Sequence, residues 1–440
     1  EIPDTSIKKD TAQITFQSKF GDPPSIKKIL SEFYTKRVYP NQQDKISPQN
    51  ILSDKYPNII DFNSNLAIAY RKRFTIEELS STINNEVLFS GLNTFSGSAT
   101  NYEPPSIGIL LKAKISEIFE NHSLEGGIRI PTNFNGIESY VLFENRIKRM
   151  DQSYAVYYKT NTELSGNGFG SNLKKQTNII LLNHQLKYAL DHYNALKVIS
   201  TIRNDHTQYL STNPATLEDS VDQYQQRIGS RLEYVYDNSI DVSLNIRNGW
   251  QAKFFLEFSK RFALNPQDKN KFYPGSLWLT GFDIRYHLPV LKKSVFSNRI
   301  YSNISFGKEK ILYHVGGTEN WLLPKYEEQN ALQTKGSYVY SALATEVRSY
   351  GYGALKAGSV CGISTELRIP FLQYLLSQHW TNSILRNFQL IPFVDAAFVW
   401  DGFIPDFKNS STLDYHAENP AVIIDLQYTR KPYIAGTGYG

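Results

Sequence analysis

From about residue 123 onward, hydrophobic residues recur at every second position. Ile240, Val242, Leu244 and Ile246 alternate with Asp241, Ser243, Asn245 and Arg247, so one face of this segment is aliphatic and the other polar. A period of two marks a β-strand lying between two different environments, and it excludes a parallel strand buried on both faces. Turn chemistry frames the segment. Leu232, Tyr234 and Tyr236 lead into Asp237-Asn238-Ser239, and Asn248-Gly249 carries a type I′ signal before Trp250, Ala252, Phe254, Leu256 and Phe258 resume the alternation. The same pattern occurs at Tyr154/Val156/Tyr158, at Trp278/Phe282/Ile284/Tyr286/Leu288 against Asp283/Arg285/His287, and at Ile363/Leu367/Ile369/Phe371 against Ser364/Glu366/Arg368. The spacing predicts an antiparallel meander.

The first 105 residues lack this rhythm and read as a short mixed connector ahead of the strand-rich region 106–440. Ile26, Ile29, Leu30 and Phe33 fall at helical spacing after Pro23-Pro24, and Thr75-Ile76-Glu77-Glu78 has capping-box spacing, so a helix is expected at each place. Asn101-Tyr102-Glu103-Pro104-Pro105 looks like a boundary. Residues 107–122 fit either an amphipathic helix through Leu111, Ile115 and Ile118 or an opening strand.

Long antiparallel strands with one apolar and one charged face suit a soluble sheet with one wet side or a barrel in lipid with a wet lumen. Soluble strands run to about 5–6 residues, whereas barrel strands need about 9–11 with aromatics near both ends. Several segments here hold their alternation for about ten residues and end in Tyr, Trp or Phe, which favours the barrel. Composition agrees: 25 Phe, 29 Tyr and 5 Trp stand among 440 residues, 13% of the chain. A helical membrane span is excluded, because even the uncharged stretch 369–385 contains Pro370, Gln373, Ser377, Gln378, His379, Thr381, Asn382 and Ser383. The single Cys361 rules out an intrachain disulfide or a cysteine metal cluster, and the net charge of +5 is spread too evenly to suggest nucleic acid as a partner. The opening Glu1-Ile2-Pro3-Asp4 is no signal peptide, so the expectation is a cleaved leader or a piece of a longer chain.

Assigning the faces brings out three positions. The apolar sets place Glu366 and Arg368 on the polar face of one strand and Asp395 on that of the next, beside Leu390, Val394, Ala396, Phe398 and Trp400. Between Gly316-Gly317 and the Glu366 strand runs a long loop containing Val347-Arg348-Ser349-Tyr350-Gly351. A guanidinium there has enough planar donors to serve both carboxylates, which a lysine does not.

At these residues the chain resembles the barrel half of the BamA-like superfamily of outer-membrane assembly and secretion proteins, the bacterial surface antigens. The family carries a Val-Arg-Gly-Phe/Tyr loop tip, then a Glu-Leu-Arg-Phe-Pro strand, then a Phe-x-Asp-x-Gly strand. Val347-Arg348-Ser349-Tyr350, Glu366-Leu367-Arg368-Ile369-Pro370 and Phe393-Val394-Asp395-Ala396-Ala397 stand here in that order, with Ser349 and Ala397 replacing family glycines. Gly126-Gly127-Ile128-Arg129-Ile130-Pro131 is similar to an early strand of the family, most closely to Bacteroidetes versions. The resemblance implies an all-β transmembrane barrel of about 16 strands, with Arg348 reaching into the lumen to Glu366 and Asp395 as a structural latch. It also implies outer-membrane lipids and unfolded outer-membrane or secreted polypeptides as partners, with periplasmic accessory proteins or an upstream periplasmic module. Because Tyr433 to Gly440 reads as the opening of a strand, about two closing strands are expected to be missing.

Catalytic signals are poor. Eight His are scattered without metal-ligand spacing, and His184 and His192 read as sheet and turn residues. Gly166-Asn167-Gly168-Phe169-Gly170-Ser171 lacks the last glycine of a dinucleotide fingerprint, residues 353–359 lack a P-loop lysine, and both read as turns. No enzyme, cofactor or metal is expected. Two functions remain: an outer-membrane barrel that inserts or translocates polypeptides, and a soluble cell-surface all-β module that binds carbohydrate or protein. They differ in what covers the apolar face.

Overall fold

The computed structural model describes residues 72–84, 88, 107–134, 136–167, 171–210, 222–263, 272–291, 293–318, 325, 338–375, 387–405, 412–419, 422–429 and 431–440. Strands β1 (Phe74–Asn84), β2 (Gly108–Glu117), β3 (His122–Pro131), β4 (Glu138–Asn145), β5 (Met150–Asn167), β6 (Ser171–Ala189), β7 (Asn194–Leu210) and β8 (Gln223–Asp237) are successive antiparallel neighbours. After the short β9 (Ile240–Ser243), the sheet continues through β10 (Ile246–Phe262), β11 (Leu277–Val290) and β12 (Ser294–Gly307). The chain then leaves the sheet to form β13 (Lys310–Val315), β14 (Tyr338–Thr345) and β15 (Leu355–Ala357), and returns as β16 (Ser359–Arg368) beside β12. Helix α1 (Phe371–Leu375) precedes β17 (Pro392–Trp400); a separate hairpin of β18 (Thr412–Asn419) and β19 (Val422–Thr429) precedes β20 (Tyr433–Tyr439), which pairs with β17. The result is one large antiparallel sheet, open between β1 and β20 among the described residues. All of it lies in the compact unit Arg73–Gly440.

The two faces are inverted relative to a soluble sheet. Across β5 to β8, Val156, Leu182, Ile202 and Ile228 stand side by side on the outer face, and each is about half exposed. On the inner face Arg129, Glu138, Arg203, Asp205, Arg227, Glu233 and Glu257 are buried. Buried charges survive only when paired. Arg231 donates to Glu233 and Glu257 at 2.6 and 3.0 Å, and Asp283 accepts from Arg285 and Arg299 at 2.9 and 2.8 Å.

The segment between β12 and β16 fills the inner side. β13 pairs in parallel with β14 and antiparallel with β15. Ile311, Tyr313, Val315, Tyr340, Val347 and Leu355 form an apolar core with Leu277, Leu279, Tyr301, Val360 and Val399 of the wall. The long loop inferred from sequence is thus an inserted three-stranded sheet.

Several local expectations change. Thr75-Ile76-Glu77-Glu78 is not helical but opens β1; pairing with β2 and the Glu77–Lys114 and Glu78–Lys112 ion pairs override a local cap, and a bulge between Ile76 and Glu78 absorbs the broken alternation. Residues 108–117 form β2, so the strand alternative holds there. The strand expected through Ile246 bends back at Leu244-Asn245, where Asn245 takes φ 58°, a left-handed conformation that asparagine tolerates. Gly249 is therefore no hairpin turn: it lies inside β10 at φ 119°, where a Cβ would sit 2.8 Å from the Asn238 carbonyl oxygen. Residues 355–357, expected within a turn, form β15. The helix expected around residues 26–33 and the boundary at 101–105 lie outside the described residues.

Candidate functional site: an inner-face arginine between two carboxylates

Gly316 and Gly317 lead out of β13 with φ of 106° and 84°, a conformation that glycine adopts without strain. Gly317 bridges to Val347, and its N–H donates to the Tyr350 carbonyl at 2.9 Å. The Tyr350 N–H donates to the Val347 carbonyl at 3.0 Å, closing a tight turn at the tip of the insert. Val347 is fully buried, so the next residue, Arg348, points from this turn to the inner face of the wall.

There the guanidinium is surrounded by acceptors. Nε and Nη2 donate to Asp395 Oδ2 and Oδ1 at 2.9 and 2.8 Å, a bidentate pair, and the Arg348 backbone N–H donates to Oδ2 at 3.1 Å. Nη1 donates to Glu366 Oε2 at 2.8 Å, and Nη2 also donates to Ser364 Oγ at 3.1 Å. The Ser364 hydroxyl in turn donates to Asp395 Oδ1 at 2.7 Å. The Phe393 ring lies 3.9 Å from the guanidinium carbon, in cation–π range. Asp395 is 1% exposed and the Arg348 side chain 21%, so the carboxylate is dry and the arginine retains some contact with solvent.

Register explains the convergence. Ser364 pairs with Asp395 and Glu366 with Phe393 across β16 and β17, so these four side chains project from one patch of the inner face. The other Glu366 oxygen is held by Arg368, whose Nε donates at 2.7 Å and whose Nη1 reaches the Asn245 carbonyl at 2.6 Å. Arg348, expected to reach Glu366 and Asp395, thus contacts both carboxylates. Ser364 was not singled out, although it lies two positions before Glu366 on the same strand and so shares its face; Phe393 entered only as the first residue of the third motif, with no contact to the arginine expected of it. Ser349 and Tyr350 turn to the last strand, where Ser349 Oγ donates to the Thr437 carbonyl at 3.1 Å and Tyr350 OH to the Ala435 carbonyl at 3.2 Å. The serine in place of a glycine fits because Gly436 faces it: a Cβ there would lie 2.4 Å from the Ser349 Cβ. Ala397 packs at 3% exposure beside Gly362, which has no side chain to oppose it. Gly351 offers its carbonyl to the close approach of Gly316, where a Cβ would sit 2.3 Å away.

The chain is similar to BamA and CdiB. BamA from Haemophilus ducreyi lacking POTRA domains 1–3 aligns over 84% of this chain and 75% of its own, at 12% identity and a TM-score of 0.41. CdiB from Acinetobacter baumannii aligns over 76% of this chain and 56% of its own, at 10% identity and a TM-score of 0.40. No family model matches the sequence, and no curated protein matches it. Among the described residues, no three His, Cys, Asp or Glu side chains gather where they would hold a metal ion.

Proposed function

We propose that the chain forms the barrel of a Gram-negative outer-membrane protein of the BamA-like superfamily, taking part in the insertion or translocation of polypeptides. The observation that carries the membrane reading is a pair of aromatic belts on the outer face. Trp250 stacks on Tyr286 at 4.1 Å near the short-turn end of β10 and β11. Eight positions along, Phe258, Trp278 and Phe306 form a second row at centroid distances of 4.7 and 6.3 Å. Eight residues at about 3.4 Å each give ~27 Å, and a tilt of about 40° reduces that to ~21 Å of height. Tyr224 and Tyr234 on β8 are ten positions apart, giving ~26 Å on the same arithmetic. A lipid-facing band is about 25 Å tall between aromatic girdles, and Leu232, Phe254 and Leu256 lie half exposed between these belts. A soluble binding module would instead bury that face under a second sheet.

The polypeptide-handling role rests on the motif resemblance together with the Arg348 contacts, which give its named residues a concrete role: they fasten the inserted segment to the wall. The test begins with the complete gene. Membranes are fractionated, and boiled and unboiled protein are compared on a denaturing gel; the barrel reading requires outer-membrane recovery and faster migration of the unboiled form. Depleting the protein should then lower the amounts of other outer-membrane or secreted proteins. A soluble product, or depletion without that effect, refutes the corresponding half of the proposal.

A further inference from the structure

The inner wall carries an unusual juxtaposition away from Arg348. Arg203 of β7 and Arg227 of β8 are directly opposite each other in register, and both are essentially fully buried. Like charges at directly opposed positions repel, since their Cβ atoms are only about 4.5–5.5 Å apart. The wall itself supplies one carboxylate at hydrogen-bond distance, Asp205 Oδ1 at 2.7 Å from Arg203 Nε. With its amide turned to satisfy both neighbours, Gln225 of β8 accepts from Arg227 Nε and Nη2 at 3.1 and 3.3 Å, and the inserted segment adds a carboxylate and a ring. Glu309, immediately before β13, accepts from Arg227 Nη1 at 2.8 Å, and the Tyr340 ring of β14 lies 4.6 Å from the Arg203 guanidinium carbon and 5.1 Å from that of Arg227. Tyr340 is 1% exposed, so both cation–π contacts are desolvated, the setting in which such contacts are strongest.

We infer that Arg203, Arg227, Tyr340 and Glu309 form a second fastening of the inserted segment, independent of the Arg348 contacts and placed on a different part of the wall. The insert brings one carboxylate and one ring face to a pair of opposed arginines, so withdrawing it breaks the Arg227–Glu309 ion pair and both cation–π contacts. Tyr340 and Glu309 enter together because Lys310 and Ile311 of β13 pair with Tyr338 and Tyr340 of β14. The insert is therefore held through its first strands by β7 and β8 and through its tip by β16, β17 and β20. Opening the inner space requires both attachments to release. This deepens the proposed function, on which its relevance to passage through the inner space rests; the attachment itself rests on the packing alone.

The test places a single cysteine at Ala342, a core position of β14, in a Cys361→Ser background of the full chain, and reads its labelling rate by a bulky maleimide. Tyr340→Leu is expected to raise that rate at least tenfold, and Tyr340→Phe, which keeps the ring, to stay within twofold of the parent. Glu309→Gln, a milder change at the margin of the cluster, should raise it severalfold and decides the matter if Tyr340→Leu fails to fold. Tyr340→Leu labelling within twofold of the parent, or Tyr340→Phe labelling as fast as Tyr340→Leu, would overturn the inference. A parent protein without an unboiled mobility shift refutes the membrane reading instead, and the labelling ratios still decide the fastening.

Discussion

Arg348→Ala removes the centre of a network rather than a single bond. The side chain donates to both Asp395 oxygens, to Glu366 and to Ser364. After truncation Glu366 keeps Arg368, but Asp395, at 1% exposure, keeps only the Ser364 hydroxyl and the Arg348 backbone N–H. Breaking one side of a dry ion pair costs about 3–5 kcal/mol. The arginine is one-fifth exposed, so water enters and screens part of this, and about 2–3 kcal/mol is the expected loss. That corresponds to a roughly 30- to 150-fold shift toward a released loop tip, at ~1.4 kcal/mol per factor of ten. The assay is the maleimide labelling rate of a Val347→Cys reporter, a fully buried position of the same turn, in a Cys361→Ser background, measured in folded, heat-modifiable protein with and without Arg348→Ala. Arg348→Lys should recover less than half of the loss, because a point charge on a flexible stem cannot reproduce the bidentate grip on Asp395 while reaching Glu366. A labelling rate within threefold of the parent for Arg348→Ala would refute this account and leave Arg348 as an ordinary solvated residue.

Other expectations follow from single contacts. Gly436→Val places a branched side chain against Ser349, within 2.4 Å at the Cβ alone, and should release the loop tip, whereas Ser349→Gly should leave it seated; the same labelling assay distinguishes them. On the outer face, Ile202→Arg should cost about 2–4 kcal/mol in lipid, read as a lower transition temperature of the unboiled gel form, while Thr201→Ser on the inner face should change little. Burial, with Lys356 nearby, pushes His314 of the insert down to about 3, so the folded state keeps it neutral. The unfolded imidazole takes up a proton near 6.5; stability should therefore be flat above that pH and fall progressively from about 6.5 toward 3, and His314→Gln should flatten the acid limb of a melting series.

The meander and its two faces were legible in the sequence because period two assigns a face to every residue in a strand; that put Glu366 and Asp395 on the same face, while the choice of Arg348 as their partner came from the resemblance of three motifs standing in order. Where the period was interrupted, reading failed. Thr75 to Glu78 shows a helix cap to anyone counting local spacing, yet the ladder with β2 decides its conformation, and that partner lies some forty residues away. The hairpin at Leu244-Asn245 was hidden because its residues continue the alternation through the turn. The three-stranded insert was read as loop because much of β13 to β15 is buried by its own strands and by the wall, which blurs the alternating signal. Gly436 opposite Ser349, and Arg227 opposite Arg203, are matters of register between strands, which no single segment encodes.

The order of residues at the arginine site has a kinetic consequence. β2 through β12 close by neighbouring hairpins, each needing only its predecessor, and such local closures are fast. Arg348 instead waits for groups that come later in the chain: Glu366 is 18 residues downstream and Asp395 is 47. Its full set of acceptors exists only after β16 has been laid against β12 and β17 against β16. Occupancy of that guanidinium therefore reports that the far side of the sheet has been built, and a chain halted before residue 395 would present the same arginine with half its acceptors missing.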